Sequence, residues 1–119
     1  MRKASIVLLI SIVALFFAGC SKDPEQMTDA ELGLTAQQSG GRRVFHIYCI
    51  GCHPAYSSHG NKGPGLKGIF KRPYLPSGMT STDEHVVDTI LHGRNMMPQF
   101  GNQLDQRDLQ DLLAYLHTL

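Results

Sequence analysis

The chain has 119 residues, of which 42% are hydrophobic, and this length allows one small domain rather than two ordinary ones. Lys and Arg number 11 against 10 Asp and Glu, so the sequence lacks the basic excess expected of a nucleic-acid-binding protein. With 18% charged residues it is not typical of a disordered chain either. Three cysteines are an odd number, which excludes a fully paired disulfide scaffold and leaves each cysteine to be explained separately.

The N-terminus has the pattern of an export signal. Two cations precede an apolar run of 14 residues, 6–19, which is shorter than the about 20 residues that a transmembrane helix needs. The run leads into Phe-Phe-Ala-Gly-Cys at residues 16–20, which resembles a bacterial lipoprotein signal, although the second Phe stands where such signals more often have Leu. We therefore expect residues 1–19 to be removed and Cys20 to be lipidated, with an ordinary signal peptide as the alternative.

The next segment, residues 20–36, is polar and contains four acidic residues and no apolar run at core spacing. We interpret it as a flexible tether, although Leu32 and Leu34 could pack on the domain. The domain itself is expected over residues 37–119. Removal of residues 1–19 changes the net charge of the chain from +1 to about −1.

The strongest signal is the run Cys-Ile-Gly-Cys-His at residues 49–53, a C-x-x-C-H motif of the kind that attaches c-type haem. Thiols at positions i and i+3 lie on one side of a helical turn, where they can form thioethers with the two vinyl groups of one porphyrin. The histidine follows directly and is delivered under the iron. The motif therefore predicts covalent haem c at Cys49 and Cys52, with His53 as an axial ligand of the iron.

Three other interpretations of the cysteine pair stay open on sequence alone. A thioredoxin-type redox pair would follow a strand, and residues 44–48 have the propensity for one, but the rest of the chain supplies no other strand. A zinc site that uses both cysteines with His53 or His59 lacks a second pair of ligands at the usual spacing. A small disulfide ring would leave His53 unexplained.

A helix is predicted over residues 81–93, with a capping box at residues 81–84, an apolar face and a glycine at its end. The loop after it reads Gly-Arg-Asn-Met-Met-Pro over residues 93–98 and offers a thioether sulfur to the second axial position of an iron. This loop is similar to that of the class I cytochromes c, in which the Met of a G-x-x-x-M-P segment is the ligand. The resemblance implies that Met97 is the distal ligand. The alternatives are Met96, Met79, His59 and His92.

The last helix is indicated by leucines at i, i+3, i+4 and i+7 over residues 109–116. In class I cytochromes c the C-terminal helix crosses the helix that leads into C-x-x-C-H, next to a small residue and an aromatic residue on that leading helix. The resemblance assigns these packing roles to Gly41 and Phe45 on the first helix and to Leu112 and Tyr115 on the last.

A Gly/Pro-rich stretch over residues 59–68 predicts a loop with a short helix. In class I cytochromes c the carbonyl of the proline in a G-P-x-L segment accepts a hydrogen bond from the proximal imidazole, which implies this role for Pro64. The resemblance covers most of residues 37–119. It implies a small all-α cytochrome c fold, with three main helices, a short helix and Gly/Pro-rich loops around one covalent haem.

The resemblance also implies a one-electron carrier and not an enzyme, because protein ligands on both sides of the iron leave no site for a small-molecule substrate. Redox proteins are the expected partners and nucleic acid is not. A lipid on Cys20 would attach the exported protein to a membrane on its periplasmic side. The alternatives are an electron-delivering haem subunit of a larger oxidoreductase, and a haem c enzyme or sensor with an open or bis-His iron.

Four cations lie close together in the loop region near the expected haem edge: Lys62, Lys67, Lys71 and Arg72. Such a group could dock and steer an acidic redox partner. The alternative is a solvated loop whose cations have no partner.

Overall fold

Residues 22–119 form three α-helices: α1 (Ala36–Tyr48), α2 (Asp83–His92) and α3 (Gln106–Leu116). The computed structural model describes residues 22–119, so the predicted signal at 1–19 and Cys20 lie outside the described residues. Short 3-10 helices form at Pro24–Gln26 and Ile69–Lys71, and within residues 22–119 the only β-structure is two isolated bridges. The prediction of a small all-α fold is confirmed. None of the helices in this part of the chain is long and apolar enough to cross a membrane.

Side-chain caps define where α1 and α3 begin. Thr35 and Gln38 exchange hydrogen bonds between side chain and backbone at the start of α1. Asp105 and Asp108 do the same at the start of α3. Each pair satisfies two backbone N–H groups that have no partner inside the helix, and so fixes the first turn.

The start of α2 differs from the prediction by one residue. The hydroxyl of Thr82, rather than that of Ser81, accepts the hydrogen bond from the backbone N–H of His85 (3.3 Å). Ser81 Oγ instead donates to the carbonyl oxygen of Ile69 (2.7 Å) and ties the preceding 3-10 helix to α2. Serine and threonine hydroxyls are both suitable N-caps. Because the hydroxyl of Ser81 is hydrogen-bonded to Ile69, Thr82 is the residue that caps α2.

α1 and α3 cross at very short range. A Cβ atom on Gly41 would overlap the carbonyl oxygen of Asp111, so the two backbones can approach this closely only at a glycine. One helical turn further on, the rings of Phe45 and Tyr115 pack together with centroids 5.5 Å apart. Phe45, Leu112 and Tyr115 are the largest fully buried side chains of the described residues. All four residues assigned to helix packing therefore meet at this crossing.

Residues 22–34, which we call the N-terminal strap, lie against the domain. Arg42 on α1 holds the strap at two points: Nη1 donates to Asp29 Oδ1 (2.7 Å) and Nη2 to the main-chain oxygen of Glu25 (3.3 Å). Leu34 packs against the hydrophobic core. The polar composition of this segment predicts a flexible tether, whereas in the structure a buried guanidinium that needs acceptors binds it to the domain.

We expect Gly41→Ala to destabilise the protein by about 1–3 kcal/mol, because the added methyl group forces α1 and α3 apart. Gly40→Ala is the matched control. A Cβ atom there meets only the flexible carboxylate of Asp111 (2.7 Å), and alanine is favoured in a helix by roughly 0.5–1 kcal/mol. Guanidinium unfolding followed by circular dichroism measures both variants. Equal stability of the two would contradict the close crossing.

Candidate functional site

The C-x-x-C-H motif forms a helical turn that directly continues α1. The N–H of Cys49 donates to the carbonyl of Phe45 (2.8 Å), which completes the last turn of the helix. The N–H groups of Cys52 and His53 then both donate to the carbonyl of Cys49 (3.0 and 2.9 Å). The structure thus brings Cys49, Cys52 and His53 together at the C-terminal end of α1, and the position of α1 sets theirs.

Both cysteines are half-buried free thiols. Burial, with a further contribution from neighbouring Cys52, raises the pKa of the Cys49 thiol to about 12. Such a thiol is protonated at neutral pH, unlike the reactive thiolate of a thioredoxin-type pair. Within residues 22–119 no three His, Cys, Asp or Glu side chains are grouped so that they could hold a metal ion. The raised pKa of Cys49 disfavours the redox-pair interpretation of the motif.

The imidazole of His53 is held by the loop that follows it. Nδ1 lies 2.9 Å from the carbonyl oxygen of Pro64, and because a carbonyl oxygen only accepts hydrogen bonds, Nδ1 carries the proton. This tautomer leaves the lone pair of Nε2 free to bind a metal. Pro64 therefore lies where the family resemblance puts it.

Gly63 packs its backbone against the same imidazole. A Cβ atom on Gly63 would overlap the ring of His53. The N–H of Gly63 donates to the carbonyl of Cys52 (2.9 Å), and the N–H of Leu66 donates to that of Pro54 (2.9 Å). The loop is thus bonded alongside the motif through its main chain. Sequence reasoning missed Gly63, since Gly-Pro-Gly by itself predicts only a turn.

The residues at this turn fit a covalently attached haem c. Cys49 and Cys52 offer two sulfurs one helical turn apart for thioether bonds, and His53 offers a neutral imidazole nitrogen for iron. Gly63 keeps the neighbourhood of the ring free of a side chain that would tilt it.

The loop after α2 separates the two adjacent methionines. Arg94 and Met97 form a tight turn through two main-chain hydrogen bonds (3.1 and 2.9 Å), with Asn95 in the left-handed region at φ 53°. Met97 is half-buried and packs against the core, whereas Met96 is 89% exposed. Of these two side chains, that of Met97 is the one that packs against the core.

The remaining candidates for a distal ligand also differ in how far they are buried. Met79, on the loop before α2, is half-buried against the core. His59 and His92 are both exposed, and His92 Nδ1 pairs with Asp88 Oδ1 (3.0 Å) on its own helix. Burial therefore leaves Met97 and Met79 as the sulfurs in contact with the core.

The four cations of the loop region fall into two kinds. Lys71 Nζ donates to the main-chain oxygen of Leu119 (2.9 Å), and the guanidinium of Arg72 donates to the carbonyl oxygens of Gly65 and Lys67. Lys62 and Lys67 are exposed at the surface. Lys71 and Arg72 thus stabilise the loop and the C-terminus, although Lys71 is also exposed, and Lys62 and Lys67 are two further exposed cations that a partner could reach.

Comparison with known proteins identifies the family to which the chain is similar. Residues 36–116 match the family model described as cytochrome c oxidase, cbb3-type, subunit III. The chain is 30% identical over 116 residues to cytochrome c6 of Thermostichus vulcanus, which covers 98% of this chain and 91% of that protein. It is 32% identical over 81 residues to cytochrome c6 of Parathermosynechococcus lividus, which covers 68% and 88%. The family match begins at the first residue of α1 and includes every residue of the site described above.

We expect Gly63→Ala to displace the His53 ring and to destabilise the haem-loaded protein. Overpacking of this kind costs about 1–3 kcal/mol, which lowers the melting temperature of a domain this size by at least about 4 °C. Gly51→Ala is the control, because a Cβ atom on Gly51 meets nothing within 4 Å. Thermal unfolding followed at the haem absorption band measures both variants. A melting temperature of Gly63→Ala equal to that of Gly51→Ala would contradict the contact.

Proposed function

The chain belongs to the monohaem class I c-type cytochromes, which are haem c electron carriers and not enzymes, and we propose that His53 and Met97 are its axial ligands. Bound haem supplies a one-electron change between ferrous and ferric iron. Cys49 and Cys52 would hold it covalently. His53, with its Nδ1 proton committed to Pro64, would present Nε2 to the iron in one orientation.

The single observation that carries the His/Met proposal is the different burial of the two adjacent methionines. Met97 packs against the core while Met96 is 89% exposed, so a ligand drawn from the 93–98 loop is Met97. A thioether opposite an imidazole raises the reduction potential relative to two imidazoles. If His53 and Met97 both hold the iron, these side chains would need to move little when its oxidation state changes. That property suits electron transfer and leaves no position for a substrate.

The location we propose is the periplasmic face of a bacterial inner or outer membrane. The support for it is the sequence of residues 1–20, with two cations, a short apolar run and small residues before Cys20. Attachment of haem to C-x-x-C-H takes place outside the cytoplasm, which agrees with export. A lipid on Cys20 would then retain the carrier at the membrane surface.

A second candidate function is that of a haem subunit in a larger oxidoreductase, to which it delivers electrons. The observation that favours it is the family match, because the matched model is described as a subunit of an oxidase. The two functions differ in whether the protein exists by itself. Haem staining of native gels from detergent-solubilised membranes separates a free carrier from a band that moves with a large complex.

We expect Met97→Ala to leave one axial coordination position of the iron without a protein ligand. The ferrous protein should then bind carbon monoxide rapidly and completely, and its reduction potential should fall, because the thioether is lost. Met96→Ala and Met79→Ala are the controls and should bind as little carbon monoxide as the unchanged protein. Pyridine haemochrome spectra establish equal haem content in all variants. A closed iron in Met97→Ala, or an open one in Met79→Ala, would overturn the assignment.

Steering by the exposed lysines can be tested with ferricyanide as an anionic electron acceptor. We expect the Lys62→Glu/Lys67→Glu double variant to reduce ferricyanide about tenfold more slowly at low salt, because charge steering changes association rates by factors of about 10 to 1,000. The rate of the unchanged protein should fall as salt rises. Arg107→Glu, which reverses an exposed charge on α3, is the control and should have little effect. A rate that does not depend on salt would exclude steering.

A further inference from the structure

The N-terminal strap reaches the segment that carries the proximal histidine. Oε1 of Glu25 accepts a hydrogen bond from the backbone N–H of Ala55 (3.2 Å). Ala55 is fully buried and follows His53 by two residues. Glu25 therefore binds the main chain two residues after His53, the residue proposed to bind iron.

The N–H of Ala55 needs this acceptor. A buried backbone N–H without a partner destabilises the fold, and the acceptor that the structure gives it is the carboxylate of Glu25. The residue before it, Pro54, has no N–H of its own, and its carbonyl is taken by the N–H of Leu66 (2.9 Å). The chain just after His53 is thus held from two sides, by the loop on one and by Glu25 on the other.

Glu25 is itself fixed in place. Its N–H donates to the side chain of Asp23 (3.1 Å), which caps the 3-10 helix Pro24–Gln26. Its main-chain oxygen accepts from Arg42, whose side chain is only 10% exposed and also pairs with Asp29. The carboxylate is therefore presented to Ala55 from a segment clamped to α1.

We propose that Glu25 is a positioning residue for His53. By holding the N–H of Ala55 it fixes the main chain beyond the histidine, while Pro64 fixes the far nitrogen of the ring. Together these two contacts set the angle at which Nε2 faces the iron. Contacts that orient a ligand histidine tune the metal it binds, so Glu25 adjusts the reduction equilibrium from a distance. This inference rests on His53 being an axial ligand, as proposed above.

The test compares Glu25→Ala, Glu25→Gln and Glu31→Ala in the haem-loaded protein. Glutamine keeps an oxygen acceptor of the same size, and Glu31 is an acidic residue of the same strap whose side chain pairs with Lys22 and Thr28. Two quantities are measured: amide hydrogen exchange at Ala55 by nuclear magnetic resonance, and the reduction equilibrium against a mediator of known potential. Pyridine haemochrome spectra check that haem content is unchanged.

In Glu25→Ala we expect exchange at Ala55 to rise at least tenfold relative to the amides of α1 and α3. The reduction equilibrium constant should shift by a factor of three or more, where a factor of ten is 59 mV for one electron. Glu25→Gln should restore both values, and Glu31→Ala should leave both unchanged.

Any of four results would overturn the proposal. Exchange at Ala55 could stay at the level of the unchanged protein, or exchange could rise equally throughout the domain, which is the mark of general destabilisation. The reduction equilibrium could stay constant while Ala55 is released. Glu25→Gln could behave like Glu25→Ala, which would make the charge and not the acceptor responsible. A wrong axial-ligand assignment would be recognised separately, in the carbon monoxide binding of the methionine variants.

Discussion

The close crossing of α1 and α3 is the contact on which the site depends. Because the C-x-x-C-H turn follows directly after the last residue of α1, whatever positions α1 also positions both thiols and the proximal imidazole. Contact of the two backbones at Gly41 allows Phe45 and Tyr115 to be fully buried in a small domain. The hydroxyl of Tyr115 donates to that of Tyr56 (3.0 Å), and its pKa is raised above the ordinary value mainly by burial, so it keeps its proton. α3 is thereby bonded to the chain just beyond the histidine.

Around the imidazole, the main chain makes most of the contacts. The carbonyl of Pro64 accepts the Nδ1 proton, the backbone of Gly63 covers the ring, and the amide of Ala55 is held from the opposite side. Main-chain groups in a hydrogen-bonded loop have little freedom to rotate, so they hold a ring more rigidly than long side chains would. Glu25 is the exception, because it is a side chain, and it comes from a segment distant in sequence.

How far the sequence predicted this structure depends on the range of each interaction. The leucine pattern of α3 is local, and the C-x-x-C-H turn is a single motif, so these predictions needed only neighbouring residues. The bond between Glu25 and Ala55 spans 30 positions and is made by one carboxylate in a polar segment, which has no signature in composition. The same holds for Lys71, whose ammonium is committed to the carbonyl of Leu119, 48 positions away. Because the three are close in sequence, Lys71 is predicted to form one docking group with Lys62 and Lys67. In the structure Lys71 differs from the other two, because it donates a hydrogen bond to Leu119.

If Cys20 carries the proposed lipid, the docked strap also limits how far the domain can extend from a membrane. A flexible chain between a lipid on Cys20 and the start of α1 would allow the domain to move about 55 Å from the lipid, at about 3.4 Å per residue. Because the strap is fixed to the domain from Glu25, only about 17 Å of chain lies between the two. A carrier so held would diffuse in two dimensions, in a layer next to the bilayer about as thick as the domain itself. Its partners would be selected by the height of their redox centres above the membrane as well as by the charge of their surfaces.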